Sequence, residues 1–191
     1  MKILDKKIIL ASKSPRRSQL LQQAGFRFEI KTEEVEENYP PEMPAEQVPV
    51  FLAEKKANAC AGFLQTDDEI LLASDSVVIL DGIIYGKPAD YEDAVHILKA
   101  LSGRVHDVIT GVCLLSKTKK RSFSALSKVH FQPLTDEEIE YYIDTFKPFD
   151  KAGAYAVQEW IGLCKISKIE GTFSNIMGLP MEDVYREIQD F

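Results

Sequence analysis

The sequence lacks the features that announce several whole classes of function. Its three cysteines, Cys60, Cys113 and Cys164, lie far apart with no CxxC pair, which argues against a disulfide framework or thiolate zinc site and leads us to expect buried reduced thiols. His96, His106 and His130 show no metal-ligand spacing. Neither a GxxxxGK[ST] loop nor a GxSxG elbow occurs, so the Walker and hydrolase-nucleophile templates fail. No apolar run approaches membrane-spanning length, and the one before Ser12 in "MKILDKKIIL" is too short for the core of a signal peptide. A cytoplasmic protein with no membrane partner is therefore expected. Lysine and arginine number 23 against 30 acids, for a formal charge of −7, so there is no basic surface to coat nucleic acid. Repeats, low-complexity tracts and long linkers are also missing, and the 191 residues read as a single domain, 1–191.

What is present is an interleaving of helix and strand signals. "KKIILAS" reads as a buried strand running into a helix with Ser14 as N-cap, Pro15 at the first position and Gly25 as stop. "VPVFLAEKKANACAGFL" reads as a second helix. "EILLASDSVVILDGIIYGKP" is a hairpin about an Asp-Gly turn. A third helix has Asp90 as cap, a stripe of Ala94, Ile97, Leu98 and Leu101, and Gly103 as stop. Strands are expected at "HDVITGVCLLS", "SFSALSKVHFQ" and "GLCKISKI". Thr135 and Glu138 stand at capping-box spacing, and a last helix after "GLP" carries Val184, Tyr185 and Ile188. The hairpin excludes an all-parallel sheet, so the class is α/β with a mixed sheet.

Polar residues that interrupt these apolar patterns are the informative ones. Arg16 and Arg17 fall in the first turn of a helix, where the macrodipole disfavours cations unless an anion sits among them. On the second helix an arc of Val48, Leu52, Ala59 and Phe63 includes Lys56, which either snorkels or directs its ammonium into a cleft. Asp75 breaks an apolar strand and needs a metal, a cation, strong donors or a wet cleft. The hairpin register pairs Leu80 with Ile83 and, carried back, Ser76 with Lys87, so Lys87 comes near the Asp75-Ser76 step; a purely structural tie between hairpin strands is the alternative. In "DKAGAYAVQ", Gly153 permits close approach of a ligand, Tyr155 offers an aromatic face, and Gln158 offers a donor and an acceptor. The acidic stretch "EIKTEEVEENYPPEMPAEQ", with seven glutamates against one lysine, reads equally as a solvated loop or a functional one.

Taken in order, "SxSPRR", the "EE" ending at Glu37, "LAxxKA", "ASDSVV", "GKP", "LSGxxHxVxTGV", "DKAGAYAVQ" and "GLPM" resemble the Maf family of nucleoside triphosphate pyrophosphatases from Ile8 to Tyr185. The resemblance implies an elongated inosine-triphosphatase-like α/β fold with a deep cleft between two lobes. It also implies hydrolysis of a nucleoside triphosphate between its α and β phosphates with a divalent metal, Mg²⁺ or in its place Mn²⁺ or Co²⁺, and a homodimer. Residue by residue, it carries phosphate binding to Arg16 with Ser14 and Arg17 beside it, and metal binding to Glu37 and Asp75. It makes cleft cations of Lys56 and Lys87, and a proton acceptor of Asp75. The "KAGAYxxQ" form is similar to the branch acting on dTTP and UTP, with Arg16, Ser76 and Gln158 as specificity positions. That branch usually has threonine where Ser76 stands, and often glycine where Glu159-Trp160 follows the glutamine. The same reaction on a methylated or modified purine triphosphate, and a non-catalytic phosphate-binding module in cell division, are the rival readings.

Overall fold

The computed structural model describes residues 1–191, the Lys2 side chain excepted. Its strands are β1 (Lys7–Leu10), β2 (Phe28–Ile30), β3 (Glu69–Leu80), β4 (Ile83–Tyr85), β5 (Val105–Leu115), β6 (Lys120–Phe131) and β7 (Ile166–Glu170). The helices are α1 (Pro15–Gln23), α2 (Val48–Ala59), α3 (Tyr91–Leu101), α4 (Asp136–Phe146), α5 (Trp160–Lys165), α6 (Phe173–Ile176) and α7 (Met181–Gln189). The sheet runs β2-β1-β3-β5-β6-β7, with β4 also paired to β3. It is mixed as expected: β1 is parallel to β2 and β3, whereas β3–β4 and β6–β7 are antiparallel. No helix among the described residues is long and apolar enough to cross a membrane.

Local signals place the helix ends. α1 stops where Gly25 turns left-handed at φ +82°, its N–H bonding Gln22 O at 3.0 Å and that of Phe26 bonding Leu21 O at 3.1 Å. This is the paired-bond ending that satisfies a helix's last carbonyls. The Asp90 side chain accepts from Asp93 N at 2.9 Å to start α3. Thr135 and Glu138 close a reciprocal capping box on α4. The hairpin turns through Asp81 and Gly82, both at positive φ, and pairs Leu80 with Ile83, the register the two-residue loop demands.

Contacts divide the chain into two compact units: the first holds Met1–Asp75, Thr110–Ala125 and Gly178–Phe191, the second Ser76–Ile109 and Leu126–Met177. In the first, the cluster between α2 and the sheet is rich in small side chains. Ala53, Ala57 and Cys60 of α2 and its C-terminal extension pack with Ala11, Leu71, Ala73 and Cys113, and Gly111 on β5 receives the start of α2 directly. A Cβ there would lie 2.3 Å from Pro49 C and Val50 N. The second unit has an apolar core in which the α3 stripe meets Ile139, Tyr142 and Ile143 of α4 and Tyr155.

Four expectations need correction. The buried face of α2 runs through Val48, Pro49, Leu52, Ala53 and Ala57, while Ala59 is exposed and the helix ends before Phe63; contact with Gly111 selects the small-residue face. Residues 162–165 are helical in α5, with β7 starting only at Ile166. Gly162 lies so close to Val157 that a Cβ would meet its carbonyl oxygen at 1.8 Å, so the chain coils there where a short apolar run alone could not choose between helix and strand. Cys164 is exposed, unlike Cys60 and Cys113, and all three are free thiols. Finally, β2 lies in a segment where the sequence pattern suggested no strand.

The Gly111 contact yields a test of the fold. Gly111→Ala should destabilise the protein by about 1–3 kcal/mol, the usual range for overpacking, because the obstructing atoms are backbone. Gly62→Ala, whose Cβ meets nothing within 4 Å, should stay within about 0.5 kcal/mol of the parent in the same urea titration.

Candidate active site

The first unit brings three of the sequence-predicted residues onto one atom. Alternation along β3 puts Leu71, Ala73 and Asp75 on one face of the strand, and Leu71 and Ala73 already pack against α2. Asp75 is next in that row. From α2, the Lys56 ammonium donates to Asp75 Oδ1 at 2.5 Å and to Glu37 Oε1 at 2.7 Å. Asp75 is buried, at 8% exposure, and thus meets the cation that its place in an apolar strand requires. Lys56 is no snorkelling residue: its side chain is 16% exposed and its ammonium pairs with two carboxylates.

Glu37 reaches this point from the acidic stretch, a largely irregular segment. Two neighbouring lysines of α2 fasten it there, Lys55 bonding the Asn38 carbonyl and side chain and Lys56 bonding Glu37. All seven glutamates of the run are exposed, Glu37 included, and what sets Glu37 apart is that its carboxylate meets the part-buried Lys56.

Arg17 belongs to the same group. Burial lowers the pKa of its guanidinium, while the charges of Asp75 and Glu37 oppose that shift and Arg16 adds to it; an arginine nonetheless stays charged at any physiological pH. Its Nε donates to the Gly178 carbonyl at 2.8 Å and its Nη1 to Ser12 Oγ at 3.1 Å. Ser74 Oγ donates to the same carbonyl at 3.4 Å, and Ser14 N–H donates to Ser12 Oγ at 3.2 Å. Sequence reasoning assigned no role to Ser12 and Gly178. Both lie inside quoted motifs, "SxSPRR" and "GLPM", and their task is to orient Arg17. Ser14 stands at the N-cap with extended backbone but makes no side-chain capping bond, and Arg16 beside it is half-buried.

The second unit holds Ser76, Lys87 and Gln158. Ser76 is half-buried and Lys87 exposed, and the β3–β4 ladder ends at Val78–Tyr85, short of both. At that point Gly86 O turns to accept from Gly153 N at 3.0 Å. Gly153, at φ +70°, lies against Val78, whose Cγ2 would be 2.8 Å from an added Cβ, so its missing side chain admits a core valine where the sequence suggested a ligand. Tyr155 likewise presents no face outward: it is 4% exposed and its hydroxyl pairs with His106 Nε2 at 2.8 Å. Burial drives the His106 pKa down to about 3, so the imidazole is neutral. In the stretch 151–160 Gln158 alone is exposed.

Glu37 and Asp75 offer two hard carboxylates within reach of one point. No group of three or more His, Cys, Asp or Glu that could hold a metal occurs among the described residues. Such a pair does not make a full protein cage, but it fits a Mg²⁺-like ion that keeps waters and takes its remaining ligands from substrate phosphates.

The chain is similar to several known proteins. Three relatives, each named dTTP/UTP pyrophosphatase, come from Porphyromonas gingivalis strain W83, Phocaeicola vulgatus and Bacteroides thetaiotaomicron. They are 48%, 47% and 45% identical, covering 97%, 96% and 97% of this chain and 94%, 95% and 97% of their own. A solved structure, that of the Staphylococcus aureus Ham1 protein, aligns over 66% of this chain and 72% of its own with 16% identity and a TM-score of 0.46. The family described as Maf-like protein matches residues 7–191, the span that contains every one of the motifs and both carboxylates that share Lys56, and the chain belongs to that family.

Proposed function

We propose that this protein hydrolyses dTTP and UTP to the monophosphate and pyrophosphate, a house-cleaning reaction on unwanted nucleotides, in the cytoplasm and as a homodimer. The observation that carries the reading is the Lys56 ammonium shared between Glu37 and Asp75 with Arg17 beside them. It sits in a chain nearly half identical, over almost its whole length, to proteins named for that activity.

A triphosphate brings about four negative charges, and attack at the α-phosphorus demands neutralisation, a positioned water and a leaving group that carries charge away. Arg16, Arg17, Lys56 and Lys87 supply the neutralisation, with the Ser14 end of α1 adding the partial positive charge of its first-turn N–H groups. Asp75 orients the attacking water and takes its proton as the oxygen bonds to the α-phosphorus; the bond from that phosphorus to the bridging oxygen breaks, and pyrophosphate leaves. Lys56 fixes the rotamer of Asp75 and keeps Glu37 beside it. Glu37 and Asp75 are the residues that would hold the divalent ion, Mg²⁺ or in its place Mn²⁺ or Co²⁺. When bound, it adds positive charge at the phosphate oxygens and acidifies a water.

Gln158 and Ser76 select the base. An amide donates to one carbonyl and accepts from a neighbouring N–H, which matches the O4 and N3–H edge shared by uracil and thymine and absent from cytosine. With Gln158→Ala we expect the preference for UTP over CTP to collapse while turnover of UTP persists, because a site that pairs polar edges rejects the mismatched one. Competing hydrolysis of the two nucleotides measures it, and equal cleavage of both by the parent protein would discard the edge-reading role.

Asp75→Asn keeps the side chain's size and removes its charge. The variant should fold, since an amide still accepts from Lys56, yet turn over at least ~10²-fold more slowly in a pyrophosphate-release assay. Rescue by excess Mn²⁺ would assign the loss to metal ligation, and its failure at full occupancy to proton transfer. Normal turnover would remove Asp75 from the mechanism.

Lys56→Met retains the aliphatic stem and leaves two carboxylates facing each other without their cation. Turnover should drop ~10²-fold, the lower range for deleting one electrostatic stabiliser, with native circular dichroism. A variant that hydrolyses UTP at the parent rate would reduce Lys56 to a structural tie.

A further inference from the structure

Gln158 is exposed, yet the chain that carries it is bound on both sides to a single phenol oxygen. The Ala156 N–H donates to Tyr142 Oη at 3.0 Å, and the Tyr142 hydroxyl donates to Glu159 Oε2. Residues 156–159 thus close a ring through that oxygen, with Gln158 at its outer edge. The other Glu159 oxygen, Oε1, lies 3.5 Å from Lys151 Nζ, which also bonds Asp150 Oδ1 at 2.9 Å. Lys151 begins the same stretch, so one carboxylate ties its start, its end and α4 together.

These groups are costly to place where they are. Tyr142 is fully buried and stacks on Phe146 with ring centroids 5.1 Å apart, and Lys151 is buried at 7% exposure. Burial and the Glu159 carboxylate push the phenol's pKa upward, so it remains a donor. An apolar core would be at least as stable without a buried ammonium beside a part-buried carboxylate, and such groups are best accounted for when they fix one geometry. The backbone geometry fixed here is that of residue 158. Gly153 against Val78 and Tyr155 on His106 hold the part of the stretch before it, and a turn bond from Glu159 N to Ala156 O at 3.1 Å, with Gly162 against Val157, adds to the Tyr142 ring around it.

We propose that Glu159, acting through Tyr142, is a positioning residue for base selection: it holds the Gln158 amide at a fixed place and orientation before substrate arrives. The proposal rests on the reading that Gln158 selects the base. A prepositioned amide distinguishes edges that differ by one donor, whereas a mobile one turns to suit either.

The test compares kcat and KM for UTP and CTP, with Mg²⁺ saturating, in the parent, Glu159→Ala, Tyr142→Phe, Glu159→Gln and Gln158→Ala proteins. Glu159→Ala and Tyr142→Phe should each lower the UTP-over-CTP ratio of kcat/KM about tenfold, mainly through a higher KM for UTP with kcat near the parent value. Glu159→Gln, whose amide oxygen accepts the same phenol proton, should keep the ratio within about threefold. A merely structural role would depress both substrates equally and leave the ratio unmoved, and that result would overturn the proposal. Should Tyr142→Phe fail to fold, Glu159→Ala decides, since its partly exposed side chain leaves no large cavity. Gln158→Ala separates the two layers: if it loses the ratio while Glu159→Ala retains it, positioning by Glu159 is wrong. If Gln158→Ala itself keeps the parent ratio, the base-reading role falls and the positioning role falls with it.

Discussion

A carboxylate in the middle of a twelve-residue strand whose other residues are largely buried is the constraint to which the first unit answers. Asp75 could not stand between "ILLAS" and "VVIL" without a cation at contact distance, since an unpaired buried charge costs several kcal/mol. Delivering that cation requires α2 to lie close to the strand. The closeness in turn requires alanine at 53, 57 and 73 and glycine at 111. Small residues that look unremarkable in the sequence therefore set the distance at which Lys56 meets Asp75, and Lys56 in turn draws in Glu37 from a solvated loop. The site is less an addition to this core than the reason for its alanine-rich packing.

The paired arginines show how a helix start accommodates a cation. Both occupy a helix start that repels them. Arg17 is compensated within the protein, by a serine hydroxyl, a backbone carbonyl and the charges of Asp75 and Glu37. Its place is thereby fixed within the protein, and the guanidinium has little orientational freedom left to lose. The buried ring around Tyr142 does for an amide what Ser12 and Gly178 do for the guanidinium.

Features set by local chemistry were legible in the sequence, and those set by what lies across the sheet were not. The Asp90 cap, the Thr135–Glu138 box, the Asp81-Gly82 turn and the Gly25 stop each need only a few adjacent residues, and each stands where the pattern placed it. The inward aim of Lys56 and the need of Asp75 for a partner were also readable from periodicity. The rotation of α2 that exposes Ala59 was not, because hydrophobicity ranks alanine 53 and alanine 59 alike and only the contact with Gly111 separates them. Glu37 came from resemblance, since nothing in an acidic run marks one glutamate above its neighbours. Gly178 was invisible for a simpler reason: its contribution is a backbone carbonyl, a group every residue possesses. Tyr155 and Gly153 misled because an aromatic and a glycine beside polar residues read the same whether they meet a ligand or a core.

The anchoring of Arg17 also bears on when, during its own synthesis, this protein becomes competent. The guanidinium and the carbonyl that holds it are 161 positions apart, and the first unit is completed only by the stretch Gly178–Phe191. At ordinary translation speeds the arginine leaves the ribosome roughly ten to thirty seconds before its acceptor. For much of that interval the nascent chain holds Arg16, Arg17, Lys56 and Asp75, yet Arg17 has only Ser12 and lacks the carbonyl that its Nε bonds. Unlike a group whose partners are contiguous, this one is fully held only once residue 178 has been added, so a chain cut before it carries most of the signature motifs without that anchor.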